Sequence, residues 1–316
     1  LSREASIERV SLGMRAELSE HWKLDAYGVY NEAENHFAIA NVPIRQKLTN
    51  SVDSVLVNGA PRCRINSVAT TDPDCVPVNL FGDGSVSRDA LDYFMGTTRQ
   101  DLQLAQSAFG VNLAGEPIST WAGPVSLALG GEFRRDTADQ TVDPTSQARG
   151  YIFGNFQPLS GTIKVREGYL EAVIPLAKDL LFARNLELNT AARNTHYNLS
   201  GSVTSWKLGA NYSPLKGLRF RGTGSRDIRA PNLLELRSGI SQSNQQIFDP
   251  VNNTTVTIPA FISGNEELQP ESADTVAAGI ILDPAFLPGF TASIDYYRID
   301  VPYVQDRLRA LSAVTV

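Results

Sequence analysis

The sequence has 316 residues, 42% of them apolar and 20% charged, with a formal charge of −6 and only two cysteines. These figures exclude a disordered chain, a collagen-like chain and a disulfide-stapled miniprotein. The acidic balance leaves no basic footprint for nucleic acid, and no apolar run approaches the ~20 residues of a membrane-spanning helix.

From the N-terminus onward, the dominant pattern is alternation with period two. Val10, Leu12, Met14, Ala16 and Leu18 alternate with Arg9, Ser11, Gly13, Arg15 and Glu17. Trp22, Leu24, Ala26, Gly28 and Tyr30 alternate with Lys23, Asp25, Tyr27, Val29 and Asn31. Residues 99–113 change phase between Leu102/Leu104 and Phe109/Val111/Leu113, which suits a bulged strand or a short helix. Further on, Val125, Leu127, Leu129 and Phe133 interleave with Ser126, Glu132 and Arg134, and Leu170, Ala172, Ile174 and Leu176 oppose Glu167, Tyr169 and Glu171. Leu186 and Leu188 oppose Glu187, Asn189 and Arg193; Trp206, Leu208, Ala210 and Tyr212 oppose Ser205, Lys207 and Asn211. Leu218 and Phe220 are set against Arg219 and Arg221, residues 273–283 are apolar on both faces, and Phe290 to Tyr297 alternate again. Side chains of a strand point alternately to opposite faces, so about ten amphipathic strands are predicted, each ~10–13 residues long. The fold class is all-β and antiparallel.

The connections sort by length. Short turns are predicted near 18–21, 114–123, 178–185, 213–217 and 283–289, and long connections near 32–98, 137–165 and 227–272, with one brief link near 198–202 where a long one is due. Successive connections of an up-and-down sheet fall at opposite ends. Short turns at one end and long loops at the other are the layout of an outer-membrane barrel, whose apolar face meets lipid and whose polar face lines a wet lumen. On that reading Arg9, Arg15, Glu132, Arg134, Glu167, Glu171, Arg193, Arg219 and Arg221 face the lumen, and the bilayer lipid is a partner of the opposite face. Trp22, Tyr30, Trp206 and Tyr212 stand where an aromatic girdle is expected.

Three ordered segments carry a family resemblance. Arg226-Asp227-Ile228-Arg229-Ala230-Pro231-Asn232-Leu233-Leu234-Glu235-Leu236 resembles the F-R-A-P-N-L-x-E-L signature of TonB-dependent outer-membrane receptors. Gly264-Asn265-Glu266-Glu267-Leu268-Gln269-Pro270-Glu271 resembles their G-N-P-x-L-x-P-E segment, and Cys75-Val76-Pro77-Val78-Asn79-Leu80-Phe81-Gly82 the C-V-P-L-N-L-F-G stretch of a proteobacterial branch. Ile228 replaces the usual aromatic and Glu266 the usual proline. The resemblance implies a transmembrane barrel of 22 strands, of which residues 1–316 form about half as one partial barrel domain. It also implies an outer-membrane importer of a large nutrient such as a siderophore, cobalamin or glycan. Energy would come from the TonB complex acting through a plug domain outside this segment. A passive porin-like channel is the alternative.

Candidate chemistry is sparse. Cys63 and Cys75, in one long connection of an oxidising compartment, are expected to form a disulfide. His21, His36 and His196 have no metal-ligand spacing, no G-x-S-x-G supplies a nucleophile, and the G-x-G fragments lack nucleotide-loop context. No catalytic, cofactor or metal residue is therefore expected, and the chain does not read as an enzyme. Within the motif loop, Arg226, Arg229, Pro231, Asn232 and Glu235 are the candidate cluster, with Arg229 holding the loop or touching ligand.

Overall fold

The computed structural model describes residues 1–302. Ten strands form one antiparallel sheet: β1 Ser2–Ser19, β2 Trp22–Pro43, β5 Met95–Thr120, β6 Gly123–Val142, β7 Leu159–Leu180, β8 Ala183–Tyr197, β9 Gly201–Leu215, β10 Leu218–Arg229, β13 Glu271–Leu282 and β14 Ala292–Asp300. Two small hairpins complete the strands, β3 Ser54–Val57 with β4 Ala60–Cys63, and β11 Ser241–Asp249 with β12 Thr254–Ile262. Sheet order follows chain order with the hairpins skipped, so the topology is up-and-down. Among the described residues β1 and β14 each have one neighbour, and the sheet is not closed.

The alternation sets the faces because directly paired residues share a side of the sheet. One apolar row runs Met14, Ala26, Val111, Gly131 and Gly168 across β1, β2, β5, β6 and β7. The adjacent row of opposite parity runs Arg15, Asp25, Asn112, Gly130, Tyr169 and Arg193, on to β8. Among the described residues the apolar face is not packed against a second layer: Leu12, Met14, Leu129, Leu170, Leu208 and Ile294 are all exposed. The sheet thus has no dry core of its own. The only buried hydrophobic cluster among the described residues lies in the loop between β2 and β5.

The long connections are shorter than the sequence suggests. They span 44–94, 143–158 and 230–270, because β2 continues to Pro43, β5 begins at Met95, β6 ends at Val142, β7 begins at Leu159, and β10 and β13 reach Arg229 and Glu271. The physical reason is visible in β1 and β2. The face that carries Val10 to Leu18 carries Glu8 and Glu4 beyond them, and the face of Trp22 to Tyr30 continues as Glu32, Glu34 and His36. There polar residues stand on both faces and the simple alternation fades, although the hydrogen-bonded ladder continues. Residues 99–113 likewise hold neither a bulge nor a helix. Their register with β2 is unbroken, and Leu102/Leu104 and Phe109/Val111/Leu113 lie on opposite faces of one straight segment.

Candidate functional site

The nine charged residues Arg9, Arg15, Glu132, Arg134, Glu167, Glu171, Arg193, Arg219 and Arg221 share one side of the sheet by register. Several of their side chains join with uncharged neighbours into polar rows that cross the strands. In the row through Asp25, the Arg15 guanidinium stands 3.7 Å from the carboxylate and the Asn112 amide donates to it at 3.4 Å. The Tyr169 hydroxyl donates to the Asn112 carbonyl at 2.5 Å, and the Arg193 guanidinium lies 5.1 Å from the centre of the Tyr169 ring. Arg193 also donates to Glu167 at 3.2 Å, which accepts from Thr195 at 3.3 Å.

Glycine makes the row possible. Gly130 lies between Tyr169 and Asn112, and a Cβ there would stand 2.6 Å from the tyrosine hydroxyl. The neighbouring row repeats the device: Tyr27 reaches across Gly110 to donate to Glu132, and a Cβ on Gly110 would come within 2.6 Å of the Tyr27 ring. In both, the ring covers a bare stretch of strand and directs its hydroxyl two strands away. A third row links Asn31 to Gln106 at 3.1 Å, Gln106 to Asp136 at 2.8 Å and Arg134 to Asp136 at 3.1 Å. Arg221 forks onto Asp295 at 2.8 and 2.6 Å. Most of these ions are partly exposed, so each pair contributes about 0–1 kcal/mol; their effect is to fix a wide hydrophilic surface.

A loop layer stands over one end. In the connection 44–94, Cys63 and Cys75 are joined by a disulfide. Val78, Ala90, Tyr93 and Phe94 form its small core, with helices α1 Arg45–Val52 and α2 Arg88–Phe94 at its sides. Ser87 caps α2 by accepting from the Ala90 amide at 3.2 Å. Burial and a hydrogen bond to Asp72 push the Tyr93 hydroxyl up to about 12, so it remains a donor at neutral pH. The connection 143–158, which opens with α3 Pro144–Gln147, docks beside it: Tyr151 donates to the Thr97 carbonyl at 3.0 Å, and buried Thr98 and Ser146 share a hydrogen bond of 2.7 Å.

Two of the sequence motifs meet in this layer. Arg229 ends β10 and bonds Glu271 at 2.8 Å and Glu235 at 3.0 Å, tying the starts of β13 and of helix α4 Leu233–Arg237 to the strand. Pro231 is buried. Asn232 and Glu235 form a capping box, each side chain accepting from the other's amide at 2.9 Å. The second motif then hydrogen-bonds to the helix, Asn265 to the Glu235 carbonyl at 2.8 Å and Gly264 to the Ser238 carbonyl at 2.8 Å. Arg226 departs from the predicted cluster. It lies within β10 on the apolar-side parity and forks onto Asp274 at 2.7 Å, away from Arg229. The expectation that both arginines sit in a loop fails because the strand runs three residues past 226. Leu80 and Phe81 of the third motif are exposed.

An open sheet with one apolar and one hydrogen-bonded polar face, capped at one end by ordered loops, is the wall of a wide barrel. The sequence profile of TonB-dependent receptor-like β-barrels matches residues 3–313. The chain belongs to this family. Among solved structures, the siderophore receptor PirA of Acinetobacter baumannii is similar over 95% of this chain and 35% of its own, at 16% identity and a TM-score of 0.55. The ferric enterobactin receptor PfeA of Pseudomonas aeruginosa matches with the same coverage at 17% identity and a TM-score of 0.56. At these identities the likeness establishes the fold. The receptor segment described here spans about a third of the length of those proteins. No curated protein matches it.

The tyrosine-over-glycine rows and the carboxylates Asp25, Asp136, Asp274 and Asp295 are what sequence reading misses in this receptor segment. A glycine on the polar parity in mid-strand is the one local signal for the rows. Its aromatic partner is 39 residues away in one case (Gly130 and Tyr169) and 83 in the other (Tyr27 and Gly110), and is identified only by the register. Among the described residues no group of three or more His, Cys, Asp or Glu converges as a metal site.

Proposed function

We propose that this segment is part of the barrel wall of an outer-membrane importer, energised through the TonB complex, in a Gram-negative bacterium. The polar face, with Arg9, Arg15, Glu132, Arg134, Glu167, Glu171, Arg193, Arg219 and Arg221, lines the lumen and the opposite face meets lipid. The observation that carries the reading is the continuous hydrogen-bonded polar face beneath an ordered loop layer, in a chain of the TonB-dependent receptor family. A soluble sheet has no use for two solvated faces, whereas a lumen needs one of them wet. The substrate is a large nutrient of the siderophore class. The similar solved receptors support that class. Import involves no covalent chemistry, so the polar rows bind and guide rather than catalyse. Arg229, Pro231, Asn232 and Glu235 anchor the loop layer to the wall.

The test is uptake by the complete receptor in a siderophore-deficient host under iron limitation. Growth on a ferric siderophore should require both the receptor and an intact TonB complex. Uptake that persists without TonB would indicate a passive channel instead.

A further inference from the structure

On the apolar side of the sheet the hydrophobic band stops abruptly at the loop end of β6 and β7. Beyond Leu129 and Phe133 on β6 comes Arg135; beyond Leu170 and Gly168 on β7 come Arg166 and Lys164. Arg135 is paired directly with Lys164, and Phe133 with Arg166. Like charges placed directly opposite each other in a sheet repel. All three are exposed, and among the described residues none has a carboxylate within ion-pair distance. The nearest carboxylates of the same parity are Asp139, four residues further along β6, and Glu32, two strands away and hydrogen-bonded to Tyr30 and Gln103.

The patch is also left uncovered. The link from β8 to β9 over residues 198–200 is the one short connection at this end. The neighbouring loop elements lean to the other side: Leu233 and Arg237 of α4 pack over Gly161, which has the polar parity of β7.

We infer that Arg135, Lys164 and Arg166 bind the phosphate groups of a phosphorylated glycolipid of the outer leaflet, the lipid A of lipopolysaccharide. This rests on the membrane orientation proposed above. Guanidinium and ammonium groups side by side match a phosphate monoester in charge and hydrogen-bond geometry. The apolar band directly adjoining them supplies what a free anion would not use, a surface for acyl chains beneath the headgroup. A lipid with phosphates at the headgroup and several chains engages both at once and relieves the repulsion between Arg135 and Lys164.

The experiment uses the complete receptor in detergent, with lipid A, dephosphorylated lipid A, phosphatidylethanolamine and inorganic phosphate as probes in native mass spectrometry. Wild-type protein should retain lipid A, and the triple variant Arg135→Gln/Lys164→Gln/Arg166→Gln should bind it about 100-fold more weakly, roughly fivefold per cation. Dephosphorylated lipid A on wild-type protein should show a similar loss, an arm that stands even if the triple variant fails to assemble. Equal affinity for the two lipids, unchanged binding by an assembled triple variant, or displacement of lipid A by inorganic phosphate at comparable concentration would overturn the assignment. Lys178→Gln, at the short-turn end, should leave lipid A binding unchanged. A loss at Lys178, which pairs with Asn185 on the polar side, in place of the loss at the patch would show instead that the proposed assignment of faces is wrong.

Discussion

Val111→Arg is the substitution that bears most directly on the membrane reading. Val111 pairs with Ala26 and with Gly131, so a longer side chain meets two small neighbours and the steric cost is low. Ala26 lies midway between Trp22 and Tyr30 on β2. Four residues at ~3.3 Å each, on a strand tilted by ~45°, place it about 9 Å in depth from either aromatic. That is too far for an arginine to bring its charge to the interface by bending along the strand. A charge held there should cost about 2–4 kcal/mol. Each 1.4 kcal/mol is tenfold in an equilibrium constant, so the folding equilibrium should fall by roughly 30- to 700-fold. Ala128→Arg is the control, because it adds the same side chain on the opposite face, directly across from Glu171. There the new charge meets water and a carboxylate, and a change within about 0.5 kcal/mol is expected. Urea titration of the complete receptor in liposomes, followed by heat-modifiable migration, measures both. If Val111→Arg is as stable as wild type, or Ala128→Arg costs as much, the assignment of faces is wrong.

Four further outcomes are expected. Cys63→Ala/Cys75→Ala should lower the local stability of the loop 44–94 by about 2–4 kcal/mol, seen as faster proteolysis there with an unchanged barrel melting point; loss of the barrel itself would contradict the separation of loop and wall. Gly130→Val should destabilise by about 1–3 kcal/mol through collision with Tyr169, and adding Tyr169→Ala should restore part of it; a double variant no better than Gly130→Val would refute the packing. Arg229→Ala leaves Glu235 and Glu271 without their shared cation, and should cost about 1–2 kcal/mol after allowance for partial exposure, read as increased hydrogen exchange across 230–240; unchanged exchange would refute the anchoring role. Burial alone would raise the Asp143 pKa, but donors from Ser146, Arg99 and Thr145 outweigh it and hold the carboxyl below its ordinary 3.8. A depressed folded value stabilises above the unfolded pKa and is lost as pH falls through the folded one. The loop 143–158 should therefore be protected from hydrogen exchange at pH 7 and lose protection below about pH 4; Asp143→Asn should remove that dependence, and a variant that keeps it would refute the cause.

Strand identity, face assignment and the asymmetry of connections were legible in the sequence, because each depends on neighbours two residues apart. Arg9, Arg15, Glu132 and Glu167 could be placed on one face without knowing any partner strand. Strand length was not legible. From Glu32 to His36 the face of β2 that carries Trp22 to Tyr30 turns polar, and only the ladder to β5 shows that the strand continues. Partners were not legible either: nothing local marks Asp25 for Arg15 or Asp295 for Arg221, and nothing local separates Arg226 from Arg229, which lie three residues apart and face opposite sides.

The sequence by itself determined which side of each strand is polar, since alternation is a property of the backbone pleat. Only the tertiary structure decided which polar residues meet. A Tyr169 hydroxyl finds Asn112 because the register puts Gly130 between them, and that register is a choice made jointly by strands far apart in the chain. The same holds for Arg135 and Lys164: each is an ordinary surface cation in sequence, and pairing across two strands turns them into an unneutralised patch at the rim of the apolar band.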